Sequence, residues 1–138
     1  YASRGLGDVY KRQFPVYAID YVSDEKQMAR LYNAVDAYVT PSLEDNLPNT
    51  IVEALSCGVP CVGFNVGGIP EMIDHRKNGY LAEARNAEDL AEGIRFILET
   101  ASREELSAHA VHSALANYGE TNVASKYIAV YKRASEKR

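Results

Sequence analysis

Residues Ala37 to Phe64 read AYVTPSLEDNLPNTIVEALSCGVPCVGF, and this stretch decides the fold. Ala37 to Thr40 has the composition of a short buried strand, and Pro41 closes it because proline has no N–H to offer a ladder. Pro48 suits the first position of a helix, where its missing N–H would have been an orphan anyway. From there to Cys57 the apolar residues Ile51, Val52, Ala54 and Leu55 recur at helical spacing. Gly58 falls where a helix commonly ends in a left-handed residue. Pro60 to Phe64 is then a second buried strand. Strands without a polar face, joined through a helix, predict parallel strands covered on both sides.

The same alternation extends in both directions. Upstream, Val16 to Val22 (VYAIDYV) is rich in β-branched and aromatic residues and predicts a strand. Ser23 is placed to cap a helix that opens with Asp24 and Glu25 and carries Met28, Leu31 and Tyr32 on one face. Downstream come Gly67-Gly68, a short helical turn over Pro70 to Ile73, a loop at Asn78-Gly79 and a short strand over Tyr80 to Ala82. Asn86 is expected to cap a helix with Leu90, Ile94, Ile97 and Leu98 inward. Ser102 and Glu105 form a capping-box pattern for the next helix. Thr121 is expected to cap a terminal helix with Tyr127, Ile128 and Tyr131 on one side. The expected fold is one α/β domain over residues 14–138, a Rossmann-like, doubly wound parallel sheet followed by C-terminal helices. Residues 1–13 (YASRGLGDVYKRQ) show neither periodicity nor an apolar face and are expected to be a non-native leader or a frayed strand remnant.

Bulk properties narrow the function. The 138 residues are 46% hydrophobic and 25% charged, with a formal net charge of −4, ordinary values for a globular chain. Neither a basic block nor an aromatic–basic stripe is present, so nucleic acid is not an expected partner. No apolar run is long enough to span a bilayer. The two cysteines, Cys57 and Cys61, are too few for a disulfide framework and lack companions for a metal site. They read as small core hydrophobes. His75, His109 and His112 read as surface residues with no third ligand to complete a metal geometry.

Ligands of open parallel sheets bind at the carboxyl ends of the strands. Two junctions therefore matter, PSLEDNL after the first strand and NVGG after the second. In the first, Glu44 and Asp45 sit beside Asn46 and Asn49, and the backbone N–H groups of Asn49 and Thr50 would point out of the helix start. Free N–H groups at the positive end of a helix dipole suit a diphosphate. Glu53, one turn inside, can accept bonds from both hydroxyls of a ribose. The same acids could equally be solvated residues that stabilise the dipole. Gly67-Gly68 either lets the backbone approach a ligand or simply makes a turn.

The run from Leu31 to Ala82 resembles the C-terminal donor domain of retaining GT-B glycosyltransferases of the large family 4. The matching features are a strand ending in Pro41-Ser42, an acid, the pair Glu53-Ala54, the strand around Cys57-Gly58-Val59-Pro60-Cys61-Val62, and the turn Gly67-Gly68-Ile69-Pro70-Glu71. The resemblance implies transfer of a sugar from a nucleotide-diphosphate donor to an acceptor hydroxyl, with retention and without a metal or other cofactor. It implies that Asp45, or Glu44 immediately before it, contacts the donor sugar, and that Glu53 holds the ribose. Asn46, Leu47, Asn49, Thr50, Gly67 and Gly68 would complete the donor site. Three features depart from the family: Asp45 stands where Glu is usual, Asn46-Leu47-Pro48 replaces Gly-Phe-Gly, and Asp20 replaces a glycine. An acceptor-binding N-terminal domain and the first half of the donor domain, with its basic pair, are expected outside this chain, which would then be inactive alone. The acceptor would be a glycan or a lipid-linked sugar in polysaccharide biosynthesis, and the setting cytoplasmic or peripheral at the inner membrane face. A nucleotide-sugar epimerase of the same fold and a non-catalytic nucleotide-sugar-binding or interaction module are the alternatives.

Overall fold

The computed structural model describes residues 15–136, so the leader expected at residues 1–13 lies outside the described residues. Three strands, β1 (Tyr38–Thr40), β2 (Cys61–Phe64) and β3 (Gly79–Ala82), form a parallel sheet in the order β1-β2-β3. The helices are α1 (Glu25–Asn33), α2 (Asn49–Ser56), α3 (Ala87–Arg95), α4 (Arg103–Tyr118) and α5 (Glu120–Glu136), with a 3-10 turn at Ile69–Glu71 and a π-helical turn at Phe96–Thr100. This is the Rossmann-like architecture expected from the sequence.

The side chains of β2 alternate between two cores, as the pleat requires. Cys61 joins Ile51, Leu55, Ile69, Ile73 and Ala110 on the face covered by α2, with α1 and α4 behind it. Val62 and Phe64 join Tyr80, Ile97 and Leu106 on the face covered by α3. Both cysteines are free thiols, Cys61 fully buried and Cys57 half-buried, and burial pushes the Cys61 thiol pKa up. Gly58 ends α2 at φ 74. Its N–H donates to the Leu55 carbonyl at 2.9 Å, and the Val59 N–H donates to Ala54 at 2.9 Å. That is a Schellman closure, fastened by the buried pair Ala54 and Val59.

Several expectations need correction. Residues 15–24 form no strand. Tyr17 and Tyr21 are 86% and 93% exposed, and no described strand lies alongside to pair the backbone that a β-rich sequence needs to satisfy. The cap of α1 is Asp24 rather than Ser23; its carboxylate accepts from the Lys26 N–H at 2.9 Å. Pro48 is the N-cap of α2 rather than its first helical residue, with extended φ −66 and ψ 116. Its carbonyl accepts from the Ile51 N–H at 3.0 Å. Leu98 is exposed while Ile97 is buried; on a 3.6-residue turn Ile97 stays within about 20° of Leu90, whereas Leu98 stands about 80° away, at the edge of the inward stripe. Finally, α5 starts at Glu120, so Thr121 is not its cap, and none of its residues is buried. The Asn122 side chain instead donates to the Leu115 and Ala116 carbonyls at 3.0 and 3.2 Å, capping the end of α4.

The Asn78-Gly79 loop is held by a buried amide. Asn78 is 1% exposed; its Oδ1 accepts from the Asp74 N–H at 2.8 Å and its Nδ2 donates to the Met72 carbonyl at 3.2 Å. Asn78→Ala should cost about 2–4 kcal/mol, because it strands a backbone N–H and a carbonyl away from water. Thermal unfolding checks this, and a variant as stable as the parent would show that the amide is not structural.

Candidate functional site

Because β1 and β2 are neighbouring parallel strands, the loops that leave their carboxyl ends lie side by side. The β1 loop carries Glu44, Asn46 and Leu47 exposed and Asp45 half-buried. The turn after β2 presses directly against it: the Gly68 N–H donates to the Asp45 carbonyl at 3.1 Å. Gly67 stands at φ 54, and a Cβ added there would lie 1.9 Å from the Asp45 carbonyl oxygen. At Gly68 an added Cβ would lie 1.5 Å from the Asn46 carbonyl oxygen. The glycine pair thus serves a close approach, and what it approaches is the acidic loop.

That loop delivers the chain into α2. The cap of α2 makes no side-chain hydrogen bond, and among the described residues the N–H groups of Asn49 and Thr50 have no acceptor. Two unpaired donors at the positive end of a helix dipole can receive an anion. The side chains of Asn49 and Thr50 are exposed beside them. The ion pairs among the described residues, Arg95–Glu92 and Arg103–Asp36, involve neither Glu44, Asp45 nor Glu53.

Glu53 lies one turn further on and faces a different space. A cleft of about 450 Å³ opens between α1, α2 and the segment Tyr21 to Asp24, and Glu53 lines it with Tyr32, Met28, Val52 and Cys57. The Tyr32 hydroxyl donates to Glu53 Oε2 at 3.0 Å. Burial first, and then the Glu53 carboxylate, raises the Tyr32 pKa above its ordinary value, and the same two causes raise that of Cys57. The site residues fall into two groups. Asp45, Asn46 and Leu47 meet Gly67 and Gly68, whereas Glu53 meets Tyr32, and Glu44 to Leu47 do not line the cleft.

Sequence reasoning missed Tyr32, read only as a core-facing residue. The available signal was its hydroxyl, since a buried tyrosine needs a partner for its O–H. It also missed the work of His75. That residue is exposed as expected, yet its Nδ1 accepts from the Leu81 N–H at 3.1 Å and its ring packs on Tyr80 at 4.5 Å. His109 and His112 lie exposed on α4, as expected.

The parallel sheet with helices on both faces is a Rossmann-like domain, and comparison with known proteins gives its family. The family described as glycosyl transferases group 1 matches residues 15–113, and the chain belongs to it. It is 32% identical over 117 residues to the N,N'-diacetylbacillosaminyl-diphospho-undecaprenol alpha-1,3-N-acetylgalactosaminyltransferase of Campylobacter jejuni, covering 84% of this chain and 31% of that protein. It is 34% identical over 135 residues to the D-inositol 3-phosphate glycosyltransferase of Geodermatophilus obscurus, covering 98% of this chain and 28% of the relative. Among solved structures, the sucrose-phosphate synthase of Thermosynechococcus elongatus superposes with a TM-score of 0.71 at 23% identity, over 82% of this chain and 29% of that one. Anabaena HepE, solved with UDP, superposes with a TM-score of 0.69 at 24% identity, over 75% and 29%. The chain therefore spans about three tenths of the length of the curated relatives it matches. Among the described residues no helix is long and apolar enough to cross a membrane.

Proposed function

We propose that this chain is the donor-binding part of a longer glycosyltransferase, one that moves a sugar from a nucleotide diphosphate to an acceptor hydroxyl with retention and without a metal. The observation that carries the reading is the start of α2. Two N–H groups there, without an acceptor among the described residues, follow an acidic loop, and Glu53 stands one turn beyond. In this reading the diphosphate meets the Asn49 and Thr50 N–H groups, Glu53 accepts from the ribose hydroxyls, and Asp45 contacts the donor sugar. Glu44, Asn46, Leu47, Gly67 and Gly68 shape the remainder of the donor site. Attack comes from the face the leaving group departs. The acceptor oxygen bonds to the anomeric carbon, the bond from that carbon to the phosphate oxygen breaks, and the acceptor proton passes to the departing phosphate. Helix N–H groups and basic residues outside the chain stabilise the charge that develops on the diphosphate.

A glycan or lipid-linked acceptor would bind through a domain not contained in this chain, so the chain alone would turn over little or nothing. The Campylobacter relative, whose name contains a diphospho-undecaprenol-linked sugar, supports the lipid-linked alternative, and the proposed setting is cytoplasmic or peripheral at the inner membrane face. The test is Asp45→Asn in the full-length protein, assayed for sugar transfer with the anomeric configuration of the product read by NMR. Transfer should fall about a hundredfold, and the wild-type product should keep the donor configuration. An epimerised sugar formed without acceptor would favour the epimerase, and an unchanged rate would remove Asp45 from the site.

A further inference from the structure

Glu53 reaches the cleft from α2 with a flexible side chain, and a flexible carboxylate must be ordered before it can receive two hydroxyls at once. Among the described residues its carboxylate accepts a hydrogen bond from the Tyr32 hydroxyl, at 3.0 Å from Oε2. Tyr32 itself is held firmly. It is 7% exposed and belongs to the core around Ile51 and Leu55. Its ring meets Tyr38 edge-on, with centroids 5.9 Å apart and planes at 73°. The hydroxyl is therefore a fixed post at the wall of the cleft, while Glu53 is the mobile partner.

We propose that Tyr32 is a positioning residue that holds the Glu53 carboxylate ready for the cis-diol of a nucleotide ribose, an inference that rests on the donor-site reading above. An ionised carboxylate offers about four acceptor positions. Tyr32 occupies one on Oε2, which leaves enough on the two oxygens to take both ribose hydroxyls. Fixing the rotamer beforehand removes an ordering cost that binding would otherwise bear. The phenol also stays a donor across the working pH range, since burial and the neighbouring carboxylate both oppose its ionisation. A tyrosine that used Glu53 only to satisfy its own buried hydroxyl would have no bearing on the diol.

The two cases separate by titration calorimetry on the full-length protein. The probes are the tightest binder among UDP, GDP and ADP, and its 2′,3′-dideoxy counterpart. Tyr32→Phe keeps the buried ring and should weaken the ribose nucleotide about five- to tenfold, while the dideoxy affinity stays within about twofold. The ratio of the two is internal to each variant, so a general loss of stability does not mimic it. In a Glu53→Gln background, Tyr32→Phe should add nothing further. Equal weakening of both ligands by Tyr32→Phe, or no change in either, overturns the positioning role. If Glu53→Gln itself fails to discriminate ribose from dideoxyribose, the donor-site reading falls and this inference with it. If Glu53→Gln discriminates and Tyr32→Phe does not, only the inference falls.

Discussion

Gly68→Ala is expected to destabilise the protein by about 3 kcal/mol or more and to abolish nucleotide binding. The reason is contact with backbone, which cannot rotate away as a side chain can. The new methyl would sit 1.5 Å from the Asn46 carbonyl oxygen, so the acidic loop must lift. Lifting it stretches the 3.1 Å bond from the Gly68 N–H to the Asp45 carbonyl and shifts the residues that lead into α2. Stability and donor site thus fail together. Gly67→Ala adds a left-handed φ of 54 to a Cβ placed 1.9 Å from the Asp45 carbonyl oxygen, and the backbone conformation alone disfavours a side chain there by about 1 kcal/mol. Asn65→Ala, an exposed position of the same turn, should change stability by less than about 0.5 kcal/mol. Thermal unfolding of the three variants decides it, and a Gly68→Ala protein with parental stability would contradict the interlocked loops.

Glu53→Gln should leave the fold intact and raise the Kd for the nucleotide roughly thirtyfold or more, about 2–3 kcal/mol. The substitution keeps shape but removes charge, and replaces one acceptor oxygen by a donor that cannot receive a ribose hydroxyl. Glu53 is solvent-exposed while its helix neighbours Ala54 and Leu55 are buried, so the loss should appear in binding far more than in stability. Glu104→Gln, an exposed acid in the first turn of α4, should bind nucleotide like the parent. Calorimetry on both variants distinguishes a ribose contact from a general effect of removing negative charge.

Much of this could be read from Ala37 to Phe64 alone, because local chemistry and burial agree there. Pro41 follows β1, Gly58 closes α2, and apolar residues fill the strands between covered faces. What escaped was set by neighbours distant in sequence. A strand over Val16 to Val22 needs a partner strand, and composition cannot report whether one lies alongside. Leu98 sits at the edge of its helix's inward stripe, where the packing opposite, not the period, decides burial. The glycine pair could be read as a turn or as a ligand approach, whereas the object it approaches, the loop at Asp45 and Asn46, is a tertiary contact. Tyr32 was visible as a core residue, but its hydroxyl bond spans 21 positions to Glu53, and only the packing of α1 beside α2 reveals it.

In the proposed function, the start of α2, with Glu53, receives a nucleotide-diphosphate sugar. A thermal-shift panel of UDP-, GDP- and ADP-sugars on the full-length protein tests this binding. At least one of them should raise the melting temperature of the parent, and the shift should shrink or vanish in Glu53→Gln. No stabilisation by any member of the panel, or an equal shift in both proteins, would contradict the claim.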